Sequence, residues 1–274
     1  MNLTAVLDIL EKLEMRPSRK LGQNFLVDAN MLRAMMEDAR VLPGQRILEI
    51  GPGLGMLTDA LLDAGADVTA VELDHRLAEY LGRRYAGNPH LKLVQGDACK
   101  TDFDALMGSE PYRCIANLPY SCSTPFLVAV SGADNPPADM FVLLQKEMAD
   151  RLTALPGSKE YGLPTVRIAL RYRSRIRRLV PPGVFYPQPE VSSAFTSLES
   201  NGRTEDAALR KAAGDAAAVA FSQRRKKSLT LLSNAYPGAD MESIFRNAGL
   251  PLDVRADGIS VDGYLAVAEG IRSY

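Results

Sequence analysis

Five short apolar runs constrain the fold of this chain more than any other feature: RILEI (46–50), DVTAVEL (67–73), LKLVQ (91–95), RCIAN (113–117) and MFVLLQ (140–145). Each is of strand length and rich in Val, Ile and Leu, and most lack a strict apolar–polar alternation. Continuous apolar strands belong to a sheet covered on both faces. The segments between them, such as MLTDALLDAG and HRLAEYLGRRY, carry apolar residues at helical spacing. Strand–helix alternation of this kind predicts an α/β domain with a parallel sheet. Ligands in such sheets bind outside the carboxyl ends of the strands. Four consecutive runs deliver chemistry to that rim: Gly51-Pro52-Gly53-Leu54-Gly55 after the first, Glu72 ending the second, Gly96-Asp97 after the third and Asn117 ending the fourth.

Downstream, RIALRYRSRIRRL (167–179) alternates Arg with apolar residues in part, which suits a strand with one basic face. Residues 180–199 read as a Pro-rich loop leading into a last strand. Composition changes near Asn201-Gly202, and residues 204–274 read as helices broken at Tyr236-Pro237-Gly238 and Leu250-Pro251. A domain boundary is therefore expected near residue 200, separating 1–200 from 201–274. The 274 residues contain no apolar run long enough to span a bilayer. The amphipathic N-terminus carries Asp8, Glu11 and Glu14, unlike a signal or transit peptide. Three unclustered cysteines suggest reduced thiols in the cytoplasm, and two isolated histidines give no reason to expect a metal. The net charge of −1 conceals basic clusters at Arg16–Lys20, Arg167–Arg178 and Arg224-Arg225-Lys226-Lys227, the kind of local surface a polyanion requires.

A glycine loop of the GxGxG kind allows a tight strand-to-helix turn and close backbone approach to a ligand. Alone it fits NAD enzymes, methyltransferases or a plain turn. Here it follows a strand, precedes a helix, and has an acid suited to ribose hydroxyls, Glu72, about 20 residues downstream. A pyrophosphate favours GxGxxG at a helix N-terminus. This loop has Glu49 just before it, and Asp97 adds a second acid suited to an adenine amino group. Acidic lining disfavours a pyrophosphate and favours a sulfonium cofactor with a free α-amino group, S-adenosylmethionine.

Asn117-Leu118-Pro119-Tyr120 then acquires a chemical reading. An exocyclic adenine amine is a poor nucleophile because its lone pair is delocalised into the ring. The Asn117 amide oxygen and the Leu118 carbonyl can accept its two N–H bonds and draw the nitrogen towards tetrahedral geometry. Pro119 stiffens the turn and removes a competing N–H. Tyr120 offers a face for base stacking, worth about 1–3 kcal/mol per base. Taken singly, Asn117 is equally a turn residue and Tyr120 equally a core aromatic.

Over nearly its whole length the sequence resembles the ribosomal RNA adenine N6-dimethyltransferases. The resemblance rests on LGQNFL (21–26), EIGPGLGMLT (49–58), VELD (71–74), GDA (96–98), NLPY with STPF (117–120, 123–126), LLQKEMADRL (143–152), Tyr161-Gly162, FYPQPEVSSA (185–194) and FSQRRKKSL (221–229). It implies a Rossmann-like S-adenosylmethionine-dependent methyltransferase sheet, with a smaller C-terminal all-helical domain that binds RNA. By motif match, Asn24 and Leu26 with Gly51 contact the methionine part of the cofactor, Glu72 the ribose, and Asp97 with Ala98 the adenine, and Gly53 also belongs to the cofactor pocket. Asn117 lies where cofactor and target amine meet, and Phe185 stacks on the target adenine opposite Tyr120. Arg224 to Lys227 fall on the RNA-binding side. Ser121-Cys122 departs from the Asn-Ile of many members.

The resemblance further implies dimethylation of two adjacent adenines in the 3′-terminal hairpin of small-subunit rRNA, by a monomer acting on rRNA or an immature 30S-type subunit. The target base must be unpaired or flipped. Alternatives are a large-subunit enzyme conferring antibiotic resistance and a non-catalytic ribosome-assembly or transcription factor of the same fold. An NAD dehydrogenase is more distant, since no acid–base residue is available at the rim.

Overall fold

The computed structural model describes residues 2–274. The first part of the chain folds as α1 (Leu3–Lys12), β1 (Phe25–Leu26), α2 (Ala29–Ala39), β2 (Arg46–Ile50), α3 (Met56–Asp63), β3 (Asp67–Glu72), α4 (His75–Arg84), β4 (Leu91–Gln95), α5 (Phe103–Met107), β5 (Arg113–Asn117), α6 (Ser123–Ser131) and β6 (Asp139–Gln145). There follow α7 (Lys146–Leu152), α8 (Leu163–Ala169), β7 (Tyr172–Val180), β8 (Phe185–Tyr186) and β9 (Ser193–Ser200). Four helices complete it: α9 (Ala207–Phe221), α10 (Ser228–Ala235), α11 (Met241–Asn247) and α12 (Val261–Arg272). No helix among the described residues is long and apolar enough to cross a membrane.

Seven strands form one sheet in the order β4-β3-β2-β5-β6-β9-β7. The first five are mutually parallel and β9 runs antiparallel to β6. Cys114, Ile115 and Ala116 of β5 are fully buried, as are Val142, Leu143 and Leu144 of β6, because both faces of the central strands are covered. The strand order reverses between β2 and β5, which pair through Ile47 with Arg113 and Leu48 with Cys114. A crevice opens at such a point beyond the strand ends. The N-terminal helix contributes Val6 and Leu10 to a small core with Phe25, Leu54 and Leu77. This packing anchors the chain just ahead of the LGQNFL segment.

The chain divides into two compact units, one of residues 1–149 with 175–199, the other of 150–174 with 200–274. The second is therefore discontinuous, where the sequence predicts a single cut near residue 200. Its core explains this: Tyr161, Val166 and Leu170 pack with Ala213, Ala216, Ala217 and Ala220 of α9 and with Phe245 and Tyr264. The alanine face of α9 admits close helix packing, and the segment around α8 supplies the large side chains that fill it. RIALRYRSRIRRL is likewise not one strand. Arg167 lies on α8, whose start is fixed by Gly162 and Pro164, and the basic strand begins only at Tyr172.

Candidate active site

The switch-point crevice is a cleft partly open to solvent, and all of its lining residues belong to the first unit. Asn24, Leu26, Gly51, Gly53, Glu72, Asp97, Ala98, Asn117, Leu118, Pro119 and Tyr120 all line it. The carboxyl ends of β2, β3, β4 and β5 supply most of these groups, and the segment flanking β1 supplies Asn24 and Leu26.

The glycine turn is built for close approach. Gly51 and Gly53 adopt φ of +64° and +60°, a left-handed conformation disfavoured for any residue with a Cβ. A Cβ on Gly51 would lie 2.9 Å from Pro119 Cγ, and one on Gly53 would lie 3.0 Å from Phe25 Cδ1. The backbone can therefore lie against a ligand, with Pro119 seated directly on Gly51. Gly51→Ala is expected to weaken cofactor binding tenfold or more, since it combines about 1–2 kcal/mol of backbone strain with displacement of Pro119. Calorimetric titration of the variant checks this, with circular dichroism to establish that the fold persists.

Glu72 is buried, and both its carboxyl oxygens accept backbone N–H groups: Oε2 from Gly53 at 3.1 Å and Oε1 from Asp74 at 2.9 Å. Burial raises its pKa, partly offset by those two donors. The carboxyl group is thus held by the turns after β2 and β3, with remaining lone pairs for ligand hydroxyls. Asp97 Oδ1 accepts from Cys99 N at 2.9 Å, which fixes the other acid of the rim.

Glu49, which the sequence reading counted in the acidic lining but gave no ligand of its own, is part of the site. It is 1 % exposed, lines the cleft, and accepts a 2.7 Å hydrogen bond from the Thr58 hydroxyl. Desolvation by burial pushes its pKa up to about 8. Its sequence signal was its place on a strand immediately ahead of the glycine turn.

The turn at the end of β5 is anchored in a way that defines its chemistry. Asn117 Nδ2 donates to the Asn24 carbonyl at 3.0 Å, so the donor half of the amide is engaged and Oδ1 is the free end. Oδ1 and the Leu118 carbonyl accept no hydrogen bond among the described residues, while the next carbonyl, Pro119, gathers Cys122 N, Cys122 Sγ and Ser123 Oγ at 3.1, 3.4 and 3.0 Å. The Tyr120 hydroxyl lies 2.5 Å from Ser193 Oγ, fixing its ring at the cleft. Ser121 Oγ donates to the Leu21 carbonyl at 3.2 Å, a second tie between this turn and the LGQNFL segment. Gln23 completes that segment's anchorage by donating to Asp74 at 3.2 Å. Ser121 therefore has a structural task in this chain, and Cys122 donates to the turn.

Phe185 is not brought to the cleft. It pairs with Leu26 in the short β1–β8 ladder, is 2 % exposed, and packs with Leu26, Met31 and Phe195 in the main core. The apolar surroundings on that side of the ladder take the ring inward, so the expected stacking wall opposite Tyr120 is a core side chain here.

In the second unit the basic run divides. Arg224 turns back, with Nε 3.2 Å from Asp257 and NH2 donating to the Ser158 and Lys159 carbonyls at 3.3 and 2.7 Å. Arg225, Lys226 and Lys227 are exposed and line a shallow hollow with Thr230, Asp253 and Arg255, where Lys227 and Arg255 form an isolated antiparallel bridge. Neither Thr230 nor Arg255 stood out in the sequence, because only the fold brings the 253–255 turn beside the run.

Comparison with known proteins bears directly on these features. Residues 15–272 match the family model described as ribosomal RNA adenine dimethylase. The chain is 37% identical over 256 residues to a ribosomal RNA small subunit methyltransferase A of Methylococcus capsulatus, covering 93% of this chain and 98% of the relative. It is 38% identical over 259 residues to that of Cupriavidus pinatubonensis, covering 91% of each. Among solved structures, a dimethyladenosine transferase from Plasmodium falciparum matches with a TM-score of 0.73 at 22% identity, over 89% of this chain and 95% of that one. A 23S rRNA methyltransferase, ErmE, matches with a TM-score of 0.67 at 24% identity, over 91% of this chain and 100% of that one. The two structural matches establish a shared fold.

Proposed function

The chain belongs to the ribosomal RNA adenine dimethylase family, and from that premise we propose that it transfers methyl groups from S-adenosylmethionine to N6 of two adjacent adenines in the 3′-terminal hairpin of small-subunit rRNA. The observation that carries this reading is the pair of free acceptors, Asn117 Oδ1 and the Leu118 carbonyl, beside Tyr120 on a cleft walled by buried acids.

The cleft fits the cofactor. Two buried carboxyl groups without a basic partner among the described residues, Glu49 and Glu72, suit a ligand with cationic and hydroxyl groups, and the side-chain-free Gly51 and Gly53 let Pro119 and Phe25 close directly on the turn that borders the cleft. S-adenosylmethionine supplies an electrophilic methyl on a sulfonium. The protein's contribution is positional and electrostatic. Glu72 holds the ribose, Asp97 and Ala98 the cofactor's adenine, and Asn24, Leu26 and Gly51 the methionine end. Asn117 Oδ1 and the Leu118 carbonyl accept the two N–H bonds of the target amine, and Tyr120 holds the base by stacking. The product amine loses its proton without a dedicated base.

The small-subunit assignment is favoured over a large-subunit one by the names of the relatives above 30% identity, which cover almost the entire chain. The enzyme acts as a cytoplasmic monomer on rRNA within an immature small subunit. Arg225, Lys226 and Lys227 bind its phosphates, whereas Arg224 braces the helical unit. Neutralising the three exposed cations together is expected to weaken rRNA binding and to lower the slope of log affinity against log salt by about 0.7–0.9 for each phosphate no longer neutralised. Filter binding at several salt concentrations checks this.

The deciding experiment incubates the protein with methyl-labelled S-adenosylmethionine and small subunits lacking the modification, then maps the label. Dimethyladenosine in the terminal hairpin is the expected result. Label confined to the large subunit would transfer the assignment to the other substrate, and binding without transfer would make the protein an assembly factor.

A further inference from the structure

Glu49 is a buried acid with no basic side chain to neutralise it among the described residues. Its neighbours are acidic or neutral on every side: Glu72 from β3, Asp59 and Thr58 from α3, Tyr85 from the end of α4 and Cys114 from β5. Arg84, the partner of the neighbouring Asp59 at 2.5 Å, also donates to the Leu54 carbonyl at 2.8 Å and makes no ion pair with Glu49 among the described residues. Thr58 donates to one carboxyl oxygen, Oε2, and no other hydrogen bond to the carboxyl group is present among the described residues. An uncompensated carboxylate in such a site is strongly disfavoured, whereas a neutral carboxyl is tolerated. Positive charge can arrive from the cleft that Glu49 lines.

We propose that Glu49 is the cofactor's internal counter-charge, protonated in the open cleft and converted to carboxylate as the positive charge of S-adenosylmethionine enters. The inference rests on the cofactor reading above and extends it. Binding the cofactor breaks the Glu49 O–H bond and delivers one proton to solvent, while Thr58 continues to donate to the carboxylate formed. When the spent cofactor leaves, the carboxyl group recovers a proton and the protein is again neutral at this position. Binding is therefore pH-dependent. Below the elevated pKa of about 8 each binding event includes an ionisation, and above it the carboxylate is already present. The contribution of Glu49 to affinity accordingly rises as pH increases towards that value and then levels off, while the cofactor's own α-amino group loses its charge in the same range.

Isothermal titration of S-adenosylmethionine into the intact chain, in two buffers of different ionisation enthalpy, counts the protons. At pH 6.5 the wild type should release about one proton per cofactor bound, falling to near zero by about pH 9.5. Glu49→Gln should release about one proton fewer at pH 6.5 and keep only the pH dependence that the cofactor's own α-amino group brings. Should that variant fail to fold, Thr58→Val leaves the carboxyl group in place. It removes the donor that favours ionisation, so proton release should persist to higher pH than in the wild type. Equal proton counts in wild type and Glu49→Gln, or an unmoved pH profile in Thr58→Val, would overturn the proposal while leaving the cofactor assignment intact. Failure of the wild type to bind S-adenosylmethionine at all would overturn both.

Discussion

Asn117→Ala is expected to lower the rate of methyl transfer by roughly 10²–10³, the loss typical of removing one preorganised group that acts on the reacting atoms. Cofactor affinity should fall by less than about tenfold. The asymmetry follows from the two ends of the amide. In the proposed reaction Oδ1 accepts from the target amine, so its removal acts on the chemical step. Nδ2 holds the Asn24 carbonyl at 3.0 Å, and losing that bond loosens one wall of the cofactor cleft by a single hydrogen bond, about 0.5–1.5 kcal/mol. Asn117→Asp should be worse for binding than Asn117→Ala, because a carboxylate cannot donate to Asn24 and adds charge beside a carbonyl. Single-turnover rates with saturating cofactor, set beside calorimetric affinities, separate the two effects. Equal losses in rate and affinity for Asn117→Ala would make the residue chiefly a brace for the Asn24 segment.

Phe185→Ala is expected to destabilise the first unit by about 3–5 kcal/mol, the usual cost of removing a fully buried aromatic ring. That corresponds to a drop in melting temperature of roughly 10 °C. Phe185→Leu should recover most of it. The ring is 2 % exposed and lies in the core with Leu26, Met31 and Phe195, so the effect is one of lost packing. A residue stacking on the target base would behave oppositely, leaving stability unchanged and raising the concentration of rRNA needed for turnover. Chemical denaturation of the two variants, followed by assay at a temperature where each remains folded, distinguishes these outcomes. Unchanged stability in Phe185→Ala would restore the ring to the substrate.

The sheet and its rim were legible because parallel strands buried on both faces leave uninterrupted apolar runs, and because the residue after each run marks the ligand edge. RILEI, LKLVQ and RCIAN coincide with β2, β4 and β5 to the residue. What could not be read depends on packing between segments distant in sequence. The alternation in RIALRYRSRIRRL fits a strand locally, yet its first third is helical, because α8 caps at Gly162 and packs on the alanine face of α9. The same long-range packing makes the second unit discontinuous, which no local change of composition signals. Phe185 sits in a two-residue ladder whose partner, Leu26, lies far earlier in the chain. Arg224 looked equivalent to its three neighbours, but its guanidinium is engaged by Asp257 and two carbonyls of the same unit. Glu49 was visible as an acid, but only its burial without a cation reveals its charge state.

The tether on Asn117 has a consequence for fidelity. An asparagine amide is ordinarily ambidextrous: rotated by half a turn, it presents donors where it had presented an acceptor. Here Nδ2 is held by Asn24, so the face offered to the base is fixed as an acceptor, with the Leu118 carbonyl as a second acceptor beside it. Such a pair welcomes an exocyclic amine and repels a keto oxygen. Guanine or hypoxanthine in the same position would set lone pair against lone pair, and the amide cannot rotate to relieve the conflict without breaking its tie. On the proposed reading, rejection of the wrong base is built into a backbone carbonyl 93 residues away.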